Sequence, residues 1–195
     1  MRGVACLDAG PGSVLGKAAM SSQQSRMNLG NTISSAFGLK GDNWMRHSNP
    51  ASVWTRFAVL PMLAGSIWSR KWIGRRSLLP LAVSSAWLFV NPLFFRPPRS
   101  TKNWASKGVL GERIWTERDR SELPDQFSSA VPTVAAVYQG IGMAPLAYGL
   151  AALKATPTLL GVLIVQGGKL WYIDRMVLLF EEMKTEDPEY ARWEY

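Results

Sequence analysis

The 195-residue chain contains one cysteine and one histidine. A lone Cys excludes a disulfide framework within the chain. Together the two exclude a zinc site built from several such ligands, a bis-histidine haem and a cysteine-held iron–sulfur cluster. No metal or cofactor is therefore expected. Acids are scarce in the first part: residues 1–111 hold 14 Lys and Arg against Asp8 and Asp42 alone, whereas residues 112–195 hold eight against 12 acids. No GxSxG element occurs, and no pair of carboxylates flanks one apolar block, so no catalytic residue is expected. The stretch Gly10–Lys17, GPGSVLGK, falls short of a phosphate loop: Pro11 stands where the first Gly belongs, and Ala18 replaces Ser or Thr. Apolar residues are plentiful at 47%, with 11% aromatic, which excludes a disordered chain.

The formal charge is +8. Such an excess points to nucleic acid or to a membrane surface. Arg56, Arg70, Lys71, Arg75, Arg76 and Arg96 sit at the ends of apolar blocks rather than along one stripe. Cations that bracket apolar blocks are what membrane topology requires. A nucleic-acid binder needs a reading element, and none is recognisable, so no nucleic-acid partner is expected.

Residues 1–42 are rich in Gly, Ser and Gln without a sustained period, and read as a disordered or targeting extension. The first apolar block, 51–69, is free of charge only from Phe57, 13 residues or about 20 Å of helix. It spans a bilayer if Arg56 snorkels to the interface. Asn49-Pro50 marks its entry and Pro61 should kink it. The second block, 77–95, has 19 residues without a charge, and Asn91-Pro92 should bend or stop it. Between the two, Arg70–Arg76 suits a tight basic hairpin.

Residues 96–125 are polar. Asn103 is a plausible N-cap for a short interfacial helix on which Trp104, Gly108, Gly111 and Trp115 share a face. The third block, 126–153, runs 28 residues without a charge and accommodates a span at 131–153. Its repeat of Ala136, Gly140 and Ala144 predicts a close-packing face. The fourth span, 156–176, starts at Thr156-Pro157. Lys169 and Asp174 lie about 140° apart on its helix, which argues for interfacial placement rather than a shared polar site. Glu181, Glu182, Glu186, Asp187 and Glu189 read as a solvated tail, with residues 185–195 as its end. Trp54, Trp68, Trp72, Trp104, Trp115 and Trp171 all fall at block ends, as an interfacial aromatic belt requires.

The expected fold is all-α: an integral membrane four-helix bundle occupying residues 43–184, with a short interfacial helix between helices 2 and 3. A soluble helical bundle is the competing reading. It is disfavoured because the second and third blocks are apolar all round.

Four stretches carry a resemblance: Asn103–Trp115 (NWASKGVLGERIW), Gly167–Met183 (GGKLWYIDRMVLLFEEM), Phe37–Arg56 (FGLKGDNWMRHSNPASVWTR) and the Arg-rich turn Trp68–Arg76. Over residues 37–184 the chain resembles a family of small multi-pass membrane proteins of unknown function. The resemblance implies a membrane location and no known activity, cofactor or catalytic residue.

Candidate binding residues divide into two groups. Lys107, Glu112 and Arg113, held at headgroup level by Trp104 and Trp115, could grip a phospholipid headgroup or an acidic ligand. The alternative is a solvated amphipathic helix with an Arg113–Glu117 pair. Arg56, Gln166, Lys169, Asp174 and Arg175 form the intramembrane polar set, functional by default at such depth. His47 is expected to be an exposed histidine ahead of the first helix, with a proton acceptor as the other reading.

Three functions remain open. The first is a non-enzymatic membrane protein acting through a protein partner, a homo-oligomer or a larger membrane complex. The second is a small transporter or channel with Arg56, Gln166, Lys169 and Asp174 facing water. The third is a membrane-embedded lipid-modifying enzyme using Lys107, Glu112 and Arg113. The expected partner in every case is the lipid bilayer, in the plasma membrane, or in an organellar membrane if residues 1–36 are a targeting peptide.

Overall fold

Proline and glycine punctuate the chain into helices. The computed structural model describes residues 43–118 and 122–195, and all regular structure among them is helical. The expected disordered or targeting extension, 1–42, lies outside the described residues. The order is α1 (Asn43–His47), α2 (Pro50–Phe57), α3 (Val59–Ile73), a 3-10 turn (Gly74–Ser77), α4 (Leu78–Phe94), α5 (Trp104–Glu117), a π turn (Gln126–Ala130), α6 (Val131–Ala152), α7 (Ala155–Glu186) and α8 (Pro188–Ala191).

The first hairpin runs α2–α3 against α4. Asn49 caps α2 by accepting from the Ala51 amide at 2.9 Å, and Pro50 occupies the first turn, where no donor is lost. The α2–α3 boundary falls at Ala58, where the Pro61 ring would meet the carbonyl four residues back. The chain reverses at Gly74, whose φ of 55° suits a residue without Cβ. Across the hairpin Ser52 Oγ donates to Asn91 Oδ1 at 2.6 Å, and Asn91 Nδ2 donates to Thr55 Oγ1 at 2.8 Å. Asn91 is fully buried, and α4 continues through Pro92 to Phe94 instead of stopping at the Asn-Pro pair.

The second hairpin joins α6 to α7 through Leu153, left-handed at φ 52°, and Lys154. Its packing corrects the expected small-residue face. Gly140 has nothing near its Cβ position, and Ala136 and Ala144 are exposed. The contact is made instead by Gly142 and Gly149 on α6 and by Gly161 and Gly168 on α7. A seven-residue interval keeps each pair on one side of its helix. A Cβ on Gly149 would overlap the Thr158 backbone, and one on Gly161 the Leu146 backbone. The tips of the two hairpins meet where Arg70 donates to the Leu150 and Ala151 carbonyls, each at 2.8 Å. Those carbonyls lie in the last turn of α6, where helical donors run out.

The 32 residues of α7 extend about 48 Å. Its first half leaves Leu159 and Leu163 62% and 69% exposed, while Met176, Leu179, Phe180 and Met183 in its second half are 0% exposed. The second half is covered by α5, which Asn103 caps as expected by accepting from the Ser106 amide at 2.9 Å. Gly108 and Gly111 let α5 approach closely, because a Cβ on either would overlap Ile173 or the Met176 carbonyl. Leu110, Ile114, Leu123 and Phe127 close this core with the buried residues of α7.

The end of the chain is docked through Glu181 and Glu194, whereas Glu182, Glu186 and Glu189 are exposed, as a solvated tail requires. The Thr101 amide donates to the Tyr195 carbonyl at 2.9 Å, and Thr101 Oγ1 donates to the Trp193 carbonyl at 2.7 Å. Lys107 pairs with Glu181 at 2.6 Å and Glu194 at 2.7 Å, and Lys184 pairs with the same two acids at 2.6 and 2.8 Å. Two cations and two carboxylates, alternating at these distances, hold the last residues against α5 and α7.

Two helical stretches among the described residues, Pro50–Phe94 and Gln126–Ala152, are long and apolar enough to cross a membrane. The first of these is the hairpin folded at Gly74.

Candidate binding site

The polar groups that matter lie where α1, α2, α5 and α7 converge. Ser106 Oγ on α5 donates to the Ser48 carbonyl at 2.6 Å, and Asn49 Nδ2 donates to the Arg96 carbonyl at 2.9 Å. These bonds fix the α1–α2 corner. His47, at the end of α1, is 4% exposed, with Trp44 edge-on to its ring. The expectation of an exposed histidine therefore fails: the corner turns the ring inward.

Arg56 turns inward as well. Its Nη1 donates to His47 Nε2, its Nη2 to the His47 carbonyl at 2.9 Å, and its Nε to the Ser52 carbonyl at 3.3 Å. Arg56 thus uses its length to reach back to α1, not to snorkel outward. Arginine is always a donor, so His47 Nε2 must be the acceptor, and the ring proton sits on Nδ1. That Nδ1–H is buried and has no acceptor among the described residues.

Two further charges act on this pair. α5 supplies Glu112 and α7 supplies Lys169. Burial drives the His47 pKa down to about 2, helped by the charges of Arg56 and Lys169. The ring is neutral at any physiological pH. Burial pushes the Glu112 carboxyl up, while the same two cations pull it down. Among the described residues neither Arg56, Lys169 nor Glu112 has an opposite charge at ion-pair distance; the ion pairs run elsewhere.

The remaining candidates disperse. Lys107 belongs to the tail network, and Arg113 pairs with Glu117 at 3.0 Å and lies over the Trp193 ring at 4.1 Å. Glu112 feels the charges of Arg56 and Lys169 instead, so the three do not form one grip. Trp104 stacks on Trp54 with centroids 6.1 Å apart, and its Nε1 donates to Asp174 Oδ1 at 3.2 Å. Trp115 Nε1 donates to the Phe127 carbonyl at 2.9 Å. Asp174 pairs with Arg175 at 2.8 Å, apart from Lys169, as the helical angle requires. Gln166 Nε2 is committed to the Phe57 carbonyl at 2.7 Å.

A cavity of about 320 Å³ between α3 and α7, lined by Pro61, Trp68, Thr158 and Leu159 among others, is almost wholly apolar and carries no titratable group.

Residues 28–193 match a family of unknown function, DUF6653. The chain belongs to this family. No curated protein and no solved structure matches it. His47, Arg56, Glu112 and Lys169 all lie within the stretch that defines DUF6653 membership.

The sequence reading missed the association of His47 with the charged set. One signal was available. A charge inside an apolar block needs a partner, and His47 is the nearest titratable side chain before Arg56, across the Asn49-Pro50 corner.

Proposed function

We propose that this DUF6653 protein is a four-span integral membrane protein that acts without catalysis, as a partner or subunit in a membrane complex. The spans are α2–α3, α4, α6 and the first half of α7. The second half of α7, α5 and the docked tail form a polar-surfaced head on one side, with α5 at the interface.

The observation that carries this reading is the inversion of exposure along α7. One helix displays Leu159, Leu160 and Leu163 at one end and buries Met176, Leu179 and Phe180 completely at the other. A helix surrounded by water throughout has no reason to change its rule midway; one that leaves a bilayer does. Leu78, Leu79, Phe89 and Leu93 on α4, and Val137 and Ile141 on α6, continue the exposed apolar belt. The tip residues Arg70, Lys71, Arg75, Arg76 and Lys154 would then mark one membrane surface and Trp104 and Trp171 the other.

The transporter reading is weaker because Gln166 is bonded to backbone. The lipid-enzyme reading is weaker because Lys107, Glu112 and Arg113 serve three separate sets of neighbours. Reporter fusions at the 70–76 turn and at Tyr195 should report opposite sides of the plasma membrane, with the chain resisting alkaline extraction. Recovery in the alkaline supernatant would defeat the membrane reading. Purification in mild detergent should then yield a stoichiometric protein partner. A monomer alone would defeat the complex-subunit reading.

A further inference from the structure

Two hydrogen bonds tie the hairpins together at different depths. Near the tips Trp68 Nε1 donates to Thr158 Oγ1 at 3.3 Å, and further down Gln166 Nε2 donates to the Phe57 carbonyl at 2.7 Å. Between these bonds α3 and α7 form the apolar cavity of about 320 Å³. On α3 its lining runs from Pro61 through Ala64 and Gly65 to Trp68, about 10 Å of helix. Gly65 has nothing within 4 Å of its Cβ position, so the groove is open along this wall.

The same stripe of α3 changes chemistry beyond the cavity. Seven residues bring a helix round to within about 20° of the same direction. Ala64 is therefore followed by Lys71, and Gly65 by Trp72. Both are exposed, Trp72 to 72%. Arg70 holds the Leu150 and Ala151 carbonyls with Nη2, and its Nε and Nη1 have no other partner among the described residues. Across the groove Lys154 directly precedes Ala155, which lines the cavity on α7. α7 starts there without a side-chain cap, so its first amides add positive potential. No acid on the hairpins balances these cations. Residues 43–111 and 126–173 contain neither Asp nor Glu, and Arg70, Lys71 and Lys154 enter no ion pair among the described residues.

An apolar groove that ends in cations and an indole fits a ligand with an acyl chain and an anionic head. We propose that the α3–α7 groove binds an anionic phospholipid, with one acyl chain along Pro61–Trp68 and the phosphate received by Arg70 and Lys71. Arg grips a phosphate through two donors and Lys adds a point charge. Trp72 sits at headgroup level, where an amphipathic ring is at home. A second copy of the chain suits the groove less, because parallel packing on this face would set the same cations against one another. The site rests on the membrane reading and deepens it by naming the lipid class.

The full chain, purified in a maltoside detergent, is titrated separately with phosphatidylglycerol and phosphatidylcholine of the same acyl chains. Native mass spectrometry counts the lipid retained. One phosphatidylglycerol should bind at least tenfold more tightly than phosphatidylcholine. Gly65→Leu fills the groove and should weaken that binding at least tenfold, whereas Gly140→Leu, on the open face of α6, should leave it unchanged. Lys71→Gln should reduce the preference for phosphatidylglycerol several-fold and leave phosphatidylcholine binding as it was. Lys71 is exposed and makes no hydrogen bond among the described residues, so this variant tests the headgroup contact even if the melting temperature shows Gly65→Leu to be misfolded. Equal binding of the two lipids overturns the proposal, as does a folded Gly65→Leu variant that binds phosphatidylglycerol like the wild type. A co-purifying protein that Gly65→Leu releases, from a chain without lipid preference, would assign the groove to that protein instead. A chain that stays in the alkaline pellet yet shows no lipid preference defeats the site alone; one in the alkaline supernatant defeats the membrane reading and the site with it.

Discussion

The side-chain amide of Gln166 on α7 donates to the Phe57 carbonyl at 2.7 Å, and Phe57 is the residue that Pro61 deprives of its helical donor. A polar side chain on one hairpin repairs a backbone defect on the other. Gln166→Leu should lower stability by about 1–3 kcal/mol, the penalty for leaving such a carbonyl unsatisfied. In a Pro61→Ala background the amide of residue 61 can serve Phe57, so the same substitution should lose most of its effect. Thermal unfolding of the four proteins in detergent measures this coupling; equal losses in both backgrounds would refute the repair.

Two glycines to alanine should behave in opposite ways. A Cβ on Gly111 would overlap the Met176 carbonyl, whereas Gly140 has nothing within 4 Å. Gly111→Ala should destabilise by about 3 kcal/mol, at the upper end for overpacking. Gly140→Ala should stabilise by up to about 1 kcal/mol through helix propensity. Melting temperatures of the two purified variants decide it, and a reversed order would count against the α5–α7 contact.

Docking of the tail should depend on pH at the acid end. Hydrogen bonds from Lys107 and Lys184 hold the Glu194 carboxyl down to about 2, and lower Glu181 in the same way. A carboxylate with a depressed folded pKa stabilises the docked state above its ordinary value of 4.5, and that stability fades as pH falls toward 2. The two lysines are raised from 10.5, so their contribution is complete below that value and is lost on going above it. Proteolysis of the segment after Glu186 should be slow at pH 7 and faster near pH 3. Lys107→Met should raise the pH 7 rate several-fold. A rate independent of both pH and residue 107 would show that the backbone bonds at Thr101 suffice.

Asn91 should be needed for the first hairpin. It is fully buried, accepts from Ser52 and donates to Thr55. Asn91→Leu should cost about 0.6–2 kcal/mol, the range for interhelical hydrogen bonds in an apolar surrounding. A disulfide between cysteines placed at positions 66 and 84 of a Cys6→Ser chain should still form, because Ser66 and Ser84 face each other independently. Loss of that crosslink would mean the Asn91 clamp sets the whole hairpin.

Helix positions were legible because their signals are local. Asn49-Pro50, Asn103 and Thr156-Pro157 open helices, and Gly74 turns a basic loop, each for reasons confined to a few residues. The face used by α6 was not legible. Ala136-Gly140-Ala144 and Gly142-Gly149 are both acceptable small-residue patterns, and only the partner helix selects between them. Nor was the docking of the acidic tail: nothing near Glu194 in sequence indicates Lys107.

By itself the sequence determined an all-helical chain with apolar blocks, a basic hairpin turn and capped helix starts, because composition, periodicity and capping act over one or two turns. The tertiary structure decided which charges meet. His47, Arg56, Glu112 and Lys169 are spread over more than 120 residues, and only the α1–α2 corner and the crossing of α5 on α7 bring them together. Charge interactions depend on distance and burial, and neither is written in sequence spacing once the chain has turned back on itself.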